Sequence, residues 1–265
     1  MKMRLSDMRW PEVQDLLKTP HAVLVPVGST EEHGPHLPIN VDSACSTYVA
    51  EQTAQKINAA NKINIVVAPA IHYVDVSTFD SFPGCIGISP DTEIRLIADI
   101  ARSLVKNGFK NIVFINGHYL NIVPISAAMH QVSLEYPQAG LFAVDWIGLG
   151  AETIMRVRKS KNCLHADELE TSMTLVIQPE NVDMSKAVKE VPDYPLSNKW
   201  GEPDIYSRNA LLFMSRVKTP CSGSGHGIMG DPTVASRETG EKIANAVVDD
   251  LSQIVTEIVA SEKAK

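Results

Sequence analysis

The chain contains no apolar run near the roughly 18 residues that suggest a membrane span. Its start, Met1-Lys2-Met3-Arg4-Leu5, passes into polar sequence without an apolar signal core. These two absences predict a cytoplasmic protein with no membrane partner. There is no C-x-x-C pair either. Cys45, Cys85, Cys163 and Cys221 are widely separated, which argues against a zinc ribbon and a dense disulfide framework and leaves buried free thiols as the expectation. Basic charge is in short supply, with Lys and Arg numbering 24 against 31 Asp and Glu, a net charge of −7. No basic stripe is present, so no nucleic-acid partner is expected, and the isolated cluster Arg156-Val157-Arg158-Lys159-Ser160-Lys161 is expected as a solvated helix end. Glycine-rich phosphate loops of the Walker or dinucleotide type are missing. Gly28-Ser29-Thr30 lacks the G-x-S-x-G elbow, and no cysteine sits in a catalytic signature, which argues against Ser or Cys nucleophiles. Metal-activated water is the chemistry that remains.

What is present fits one globular domain over residues 1–265, at 44% hydrophobic and 21% charged. Apolar, β-branched runs recur at 22–27, 64–69, 111–115 and 141–146, with helical patterns between them, and this alternation predicts an α/β fold with a mostly parallel sheet. Asp42-Ser43 can cap a helix over 43–60. Ser89-Pro90 starts another, whose stripe of Ile94, Ile97, Ile100 and Leu104 ends near Asn107-Gly108. Further helices are expected from about 121 to 135 and from about 240 onward. Residues 179–235 are rich in Pro, Ser, Asn and Gly, and read as irregular segments folded over the domain.

Three polar groups can supply carboxylate and imidazole ligands from separate elements, as a pair of divalent ions sharing a carboxylate requires. Glu31, His33 and Asp42 follow the first strand, where open α/β sheets place ligands. Glu31 and His33, two apart, share a side of an extended segment, and Asp42 closes the loop. His118 lies in Asn116-Gly117-His118, directly after the third strand. The last group, His165-Ala166-Asp167-Glu168-Leu169-Glu170, enters a helix, and Asp167 and Glu168 compete there with His165 and Glu170. His36, near Pro35 and Pro38, fits a ligand or a structural loop about equally. His226 suits a turn or an oligomer contact, and His21, His72 and His130 have no evident partners.

Five segments carry a resemblance: GSTEEHGPHLPINVD at 28–42, FPG at 82–84, INGHYLN at 115–121, HADELETS at 165–172 and GIMGDPTVASRETGEKI at 227–243. Together they resemble the creatininase (creatinine amidohydrolase) family over nearly the whole chain. The resemblance implies a three-layer α/β/α sandwich, commonly a hexamer, acting on a small-molecule substrate with two divalent metal ions, Zn, Mn or Fe. It implies that Glu31, Asp42 and His118 hold one ion and His33 and Asp42 the other. Asp42 would then be the bridge, Glu170 a further ligand, and His165 the acid/base that protonates the leaving group. Trp146, Phe79 and Tyr119 are the expected substrate contacts.

Departures from the family pattern redirect the expected substrate. Leu120 stands where creatininase has an acidic ligand, and Glu170 is assigned to complete that shell instead. Lys161-Asn162-Cys163-Leu164 replaces aromatic and acidic residues before the catalytic His; Phe79 stands where relatives often have His, and Cys85 where they have Thr. These changes point away from creatinine and toward hydrolysis of a C–N bond in another small polar amide, a cyclic one being expected. The alternatives on the same metal site are C–C ring opening of a cyclic sugar-derived ketone and deformylation. A noncatalytic metal-binding protein is the reading from another class. The joint presence of Glu31, His33, Asp42, His118, His165 and Glu170 argues against it.

Overall fold

A computed structural model describes residues 2–60, 63–191, 204–206 and 225–261, so Cys221 and much of the 179–235 segment lie outside it. Four parallel strands, β1 (His21–Val27), β2 (Asn64–Val67), β3 (Asn111–Asn116) and β4 (Gly140–Asp145), form a sheet in the order β2-β1-β3-β4. All seven residues of β1 are buried, as a strand covered on both faces demands. Pro26 is tolerated in this central strand because its backbone faces the β2 side beyond the last β2 pair, Leu24–Val67. There its carbonyl accepts from Ile71 N–H, and no ladder bond to β3 is lost.

Strand alternation divides the core into two. Ala22, Leu24, Val113 and Ile115 face one layer, made of α2 (Val41–Ala60), α5 (Ala151–Val157), α6 (Glu168–Ile177) and α7 (Arg237–Ser261). Val23, Val25, Ile112 and Phe114 face the other, made of α1 (Trp10–Leu16), α3 (Pro90–Lys106) and α4 (Ile122–Glu135). The fold is therefore the three-layer α/β/α arrangement with a parallel sheet. Each fully buried Ile or Phe of β3 contributes about 1.5–3 kcal/mol relative to exposure.

Local chemistry fixes the helix ends. Ser89 Oγ accepts from Thr92 N–H and Pro90 opens α3. At the other end, Gly108 (φ +98°) allows Phe109 N–H to reach Leu104 O and Gly108 N–H to reach Val105 O. Several expectations change. Asp42 does not cap α2 from outside; it lies in the first turn with its carboxylate turned inward, and Ser43 Oγ donates to Ser29 O. The last helix begins at Arg237 rather than near 240, and α1 had no forerunner in the sequence reading. Within 179–235, short 3-10 turns at Pro179–Asn181, Met184–Lys186 and Pro232–Val234 accompany a strand β6 (Met229–Gly230), which pairs antiparallel with β5 (Cys163–His165). The Arg156–Lys161 cluster is only partly solvated, because Arg158 holds the buried carboxylate of Asp204 through two bonds of 2.7 and 3.1 Å. Cys45 and Cys163 are buried free thiols, and Cys85 is half-buried with its Sγ accepting from Glu32 N–H. No described helix is long and apolar enough to cross a membrane.

Candidate metal centre

The sheet order changes direction at β1: β2 lies on one side and β3 on the other, so the loops leaving β1 and β3 open a crevice between them. The first turn of α2 drops into this crevice. It comes so close that a Cβ on Gly28 would strike the backbone of Ser43, and one on Gly117 would strike the Asp42 carbonyl. Both loops therefore carry glycine where the helix touches them. The aligned amides of the α2 start favour a carboxylate such as Asp42 at this position.

Asp42 is 2% exposed, and its two oxygens face different partners. Oδ2 lies 3.0 Å from His118 Nδ1, which is itself 3.1 Å from Glu31 Oε1. Oδ1 lies 3.1 Å from His33 Nε2, which is 3.8 Å from Glu170 Oε2. Glu31, Asp42 and His118 thus form one group with mutually close ligand atoms, and His33, Asp42 and Glu170 form a second. Ligands about 2.0–2.2 Å from one tetrahedral ion lie roughly 3.3–3.6 Å apart, so the donors of each group, already 3.0–3.8 Å apart, need move only a few tenths of an ångström to share a cation. A second observation agrees. Both carboxylate oxygens of Glu31 are buried with no hydrogen-bond partner among the described residues, despite the nearness of His118 Nδ1. A buried carboxylate without donors is costly unless a cation faces it. The donor set of carboxylate oxygens and imidazole nitrogens is one that Zn, Mn or Fe accepts.

The carboxylates also set the proton affinity of the imidazoles. Burial works against a charge on His33, but Asp42, Glu170 and Glu31 outweigh it and raise its pKa to about 10. Burial likewise opposes a charge on His118, and Glu31 and Asp42 lift it well above the ordinary value. Asp42 is held well below the carboxylate range, since His33 and His118 overcome its burial. Burial raises Glu170. The centre as a whole draws positive charge inward.

His165 stands at the edge of this centre, brought there by β5. Its Nε2 lies 2.9 Å from the Glu32 main-chain carbonyl, which fixes the proton on that nitrogen, and its Nδ1 faces Glu31 Oε1 at 4.0 Å. One face of the ring stacks on Phe79 at 4.3 Å, and His33 lies 4.5 Å away at a tilt of 45°. Glu31, His33 and His165 form a third close group, so the ring is near enough to ligate as well as to transfer a proton. Ala166, which follows it, is the only described non-glycine residue with positive φ, at 50°, and its N–H is held by Glu170 Oε2 at 2.6 Å.

The other sequence candidates separate from the centre. His36 donates to or accepts from Thr171 Oγ1, and burial lowers its pKa to about 4, so it is a neutral structural ring. Asp167 caps α6 by accepting from Leu169 and Glu170 N–H, and Glu168 accepts from Lys159 and Ser160 N–H; both turn away from the ligand groups. His21 is buried against Phe109, His72 and His130 are exposed, and His226 pairs with Glu190. Tyr119 is 63% exposed on the turn after His118. Trp146 is 1% exposed and sits in the core, its indole Nε1 without a partner among the described residues. Leu120, on the same turn as Tyr119, offers no ligand atom.

Sequence reasoning missed four polar groups around the centre. Ser29 Oγ donates to Asp42 Oδ2 at 2.8 Å, and Asp75 O lies 3.2 Å from His118 Nε2. Glu93, buried and raised to about 7 by that burial, accepts from Asp75 N–H. Glu32 lies between Glu31 and His33, where strand alternation predicts that it points away. Instead its carboxylate Oε1 reaches 3.4 Å from His165 Nε2. The doubled acid in Glu31-Glu32 was the available signal for Glu32, while Glu93 had none beyond its place in a helix's first turn.

Comparison with known proteins agrees with this architecture. The family described as Creatininase: Creatinine amidohydrolase matches residues 6–255. A mycofactocin precursor peptide peptidase of Mycolicibacterium smegmatis is 31% identical over 227 residues, covering 86% of this chain and 81% of the relative. The creatinine amidohydrolase of Pseudomonas putida is 26% identical over 270 residues, covering 96% of each. A solved structure described as creatininase Mn superposes with a TM-score of 0.82 at 21% identity, covering 97% of this chain and 98% of that one.

Proposed function

Because the chain belongs to the creatininase family, we propose that it is a binuclear-metal-dependent amidohydrolase that cleaves a C–N bond in a small polar amide other than creatinine. The observation that carries this reading is the division of Asp42, whose two oxygens face separate ligand groups at 3.0 and 3.1 Å. Glu31, His118 and Asp42 Oδ2 would hold one divalent ion, and His33, Glu170 and Asp42 Oδ1 the other, with Zn, Mn or Fe suited to the set. When bound, the ions supply activation of water near neutral pH and polarisation of the substrate carbonyl. A solved structure of the same fold is described as creatininase Mn, which is in keeping with a metal-dependent reading.

His165 acts on the leaving group. With Nε2–H donating to the Glu32 carbonyl, the second proton of the imidazolium sits on Nδ1, which faces the centre. As the C–O bond to water forms and the C–N bond breaks, that proton passes to the departing nitrogen, which leaves as an amine, and the proton shed by the water restores the imidazolium. Phe79 covers one ring face, which fixes its plane and keeps water from that side. Phe79, Tyr119 and Trp146 are the proposed substrate contacts. Trp146 is the least accessible of the three, at 1% exposed.

The likeness to a mycofactocin precursor peptide peptidase favours a second reading, in which the amide is a peptide bond. The chemistry above is unchanged by that substitution. C–C ring opening and deformylation share the same site, and only the amide reactions release a new amine with no formate. The test pairs metal content by plasma mass spectrometry with a panel of cyclic amides, short peptides, formamides and cyclic ketones. Two ions per chain with amine release support the proposal. One ion or none refutes the binuclear reading, and turnover confined to ketones refutes the amide assignment. A homo-oligomer, a hexamer by family expectation, is proposed alongside, and a monomer by small-angle scattering would refute it.

A further inference from the structure

We propose that Glu93 is a positioning residue for the metal centre, holding the main chain at Asp75 so that the His118 imidazole presents Nδ1 to Glu31 and Asp42. This inference rests on the reading of His118 as a ligand. Glu93 lies in the first turn of α3 and is 0% exposed. Its Oε2 accepts from Asp75 N–H at 2.8 Å, while Asp75 O lies 3.2 Å from His118 Nε2. The two peptide groups flank one Cα, so anchoring the amide fixes the carbonyl to which the imidazole donates. With Nε2–H committed to Asp75 O, Nδ1 is the ring atom left to face Glu31 at 3.1 Å and Asp42 at 3.0 Å.

A purely local role in α3 accounts poorly for this side chain. Ser89 already accepts from the helix start, and Pro90 opens it. Glu93 Oε1 is buried with no hydrogen-bond partner among the described residues, so the helix alone gives no reason to take a carboxyl out of water. The Asp75 segment runs between the buried Val74 and Val76 and is tied to its surroundings by main-chain bonds. Ile88 N–H to Val74 O at 3.0 Å is one, and the Glu93 bond is the next along the chain.

The test is Zn2+ titration of the metal-stripped full-length protein against a chromophoric chelator, comparing the unaltered chain with E93Q, E93M, H118A and E93M/H118A. E93M keeps the bulk and removes the acceptor, whereas E93Q retains an acceptor for Asp75 N–H. E93M should weaken one of the two binding steps by about 10- to 100-fold, the range found for groups that orient a ligand. E93Q should bind nearly as the unaltered chain does. H118A should weaken the same step, and the double variant should be no weaker than H118A alone, since Glu93 acts through that ring. Unchanged steps in folded E93M, or losses that add in the double variant, would overturn the proposal. E93L replaces E93M in the same comparison if E93M does not fold. An unaltered chain that takes up no Zn2+ overturns the ligand reading itself, a failure separate from that of Glu93.

Discussion

Asp42→Ala removes the residue shared between the Glu31–His118 group and the His33–Glu170 group, so its effect on metal-dependent stability differs in kind from loss of a one-sided ligand. An ion that binds only the folded chain stabilises it by about 2.7 kcal/mol per site when free metal is 100 times Kd. Two sites give about 5.4 kcal/mol. For a chain of 265 residues, with about 2 °C per kcal/mol, metal should raise the Tm of the unaltered protein by roughly 10 °C. His33→Ala spares the Glu31, Asp42 and His118 group and should keep about half of that rise. Asp42→Ala should lose nearly all of it, because Oδ2 at 3.0 Å and Oδ1 at 3.1 Å disappear together. The assay is differential scanning calorimetry of chelator-treated and metal-supplemented samples at one scan rate, so that any irreversibility is common to the pair. An Asp42→Ala protein that still gains the full two-site increment would refute the division of this carboxylate between two ions. A residual rise equal to that of His33→Ala would show instead that Asp42 serves one ion.

His165→Ala should lower turnover by about 10²- to 10⁴-fold with metal content unchanged; if plasma mass spectrometry shows an ion lost instead, the ring is a ligand. The pH dependence of the metal-free protein follows from His33, raised from 6.5 to about 10. Its stabilising contribution is complete below about pH 6.5 and is lost as pH climbs through about 10, so metal-free Tm should fall across that window, and a flat profile would contradict it. Metal uptake must displace these protons, so affinity should rise with pH and buffered titrations should show proton release. Asp204→Ala leaves Arg158 without its partner in a pair whose side chains are 7% and 11% exposed, and should cost about 3–5 kcal/mol by urea denaturation. A loss below 1 kcal/mol would place this pair with the surface ion pairs.

The sheet was legible because its strands announce themselves. Ala22–Val27 and Ile112–Ile115 are apolar through their whole length, as the core of a strand covered on both faces is expected to be. Helix α3 was equally plain, since Ser89, Pro90 and Gly108 sit at positions whose backbone geometry favours those residues. Helix α1 was not, because Trp10–Leu16 buries only Leu16 and carries little periodicity. The pairing of Cys163–His165 with Met229–Gly230 depends on partners some 60 residues apart, which no local pattern encodes. The ligand candidates were visible as polar groups at strand ends. The groups that aim them were not: the Asp75 carbonyl exists at every position of any chain, and Glu93 resembles an ordinary helix-start acid. Glu32 was hidden by the period-two argument that brought out Glu31 and His33, because the loop after β1 does not keep strand geometry.

The crevice between β1 and β3 also dictates an order of events during synthesis. Glu31, His33 and Asp42 leave the ribosome early, His118 follows near the middle of the chain, and Glu170 arrives only with α6. An ion captured by the first group would close a loop of nearly 90 residues to His118, and the second group closes one of nearly 140. Each closure needs the parallel sheet already in register, since β3 delivers His118 only after pairing with β1. An ion held by the Glu31, Asp42 and His118 group would therefore need only the β1–β3 pairing, whereas one held by the His33, Asp42 and Glu170 group would also need α6 in place.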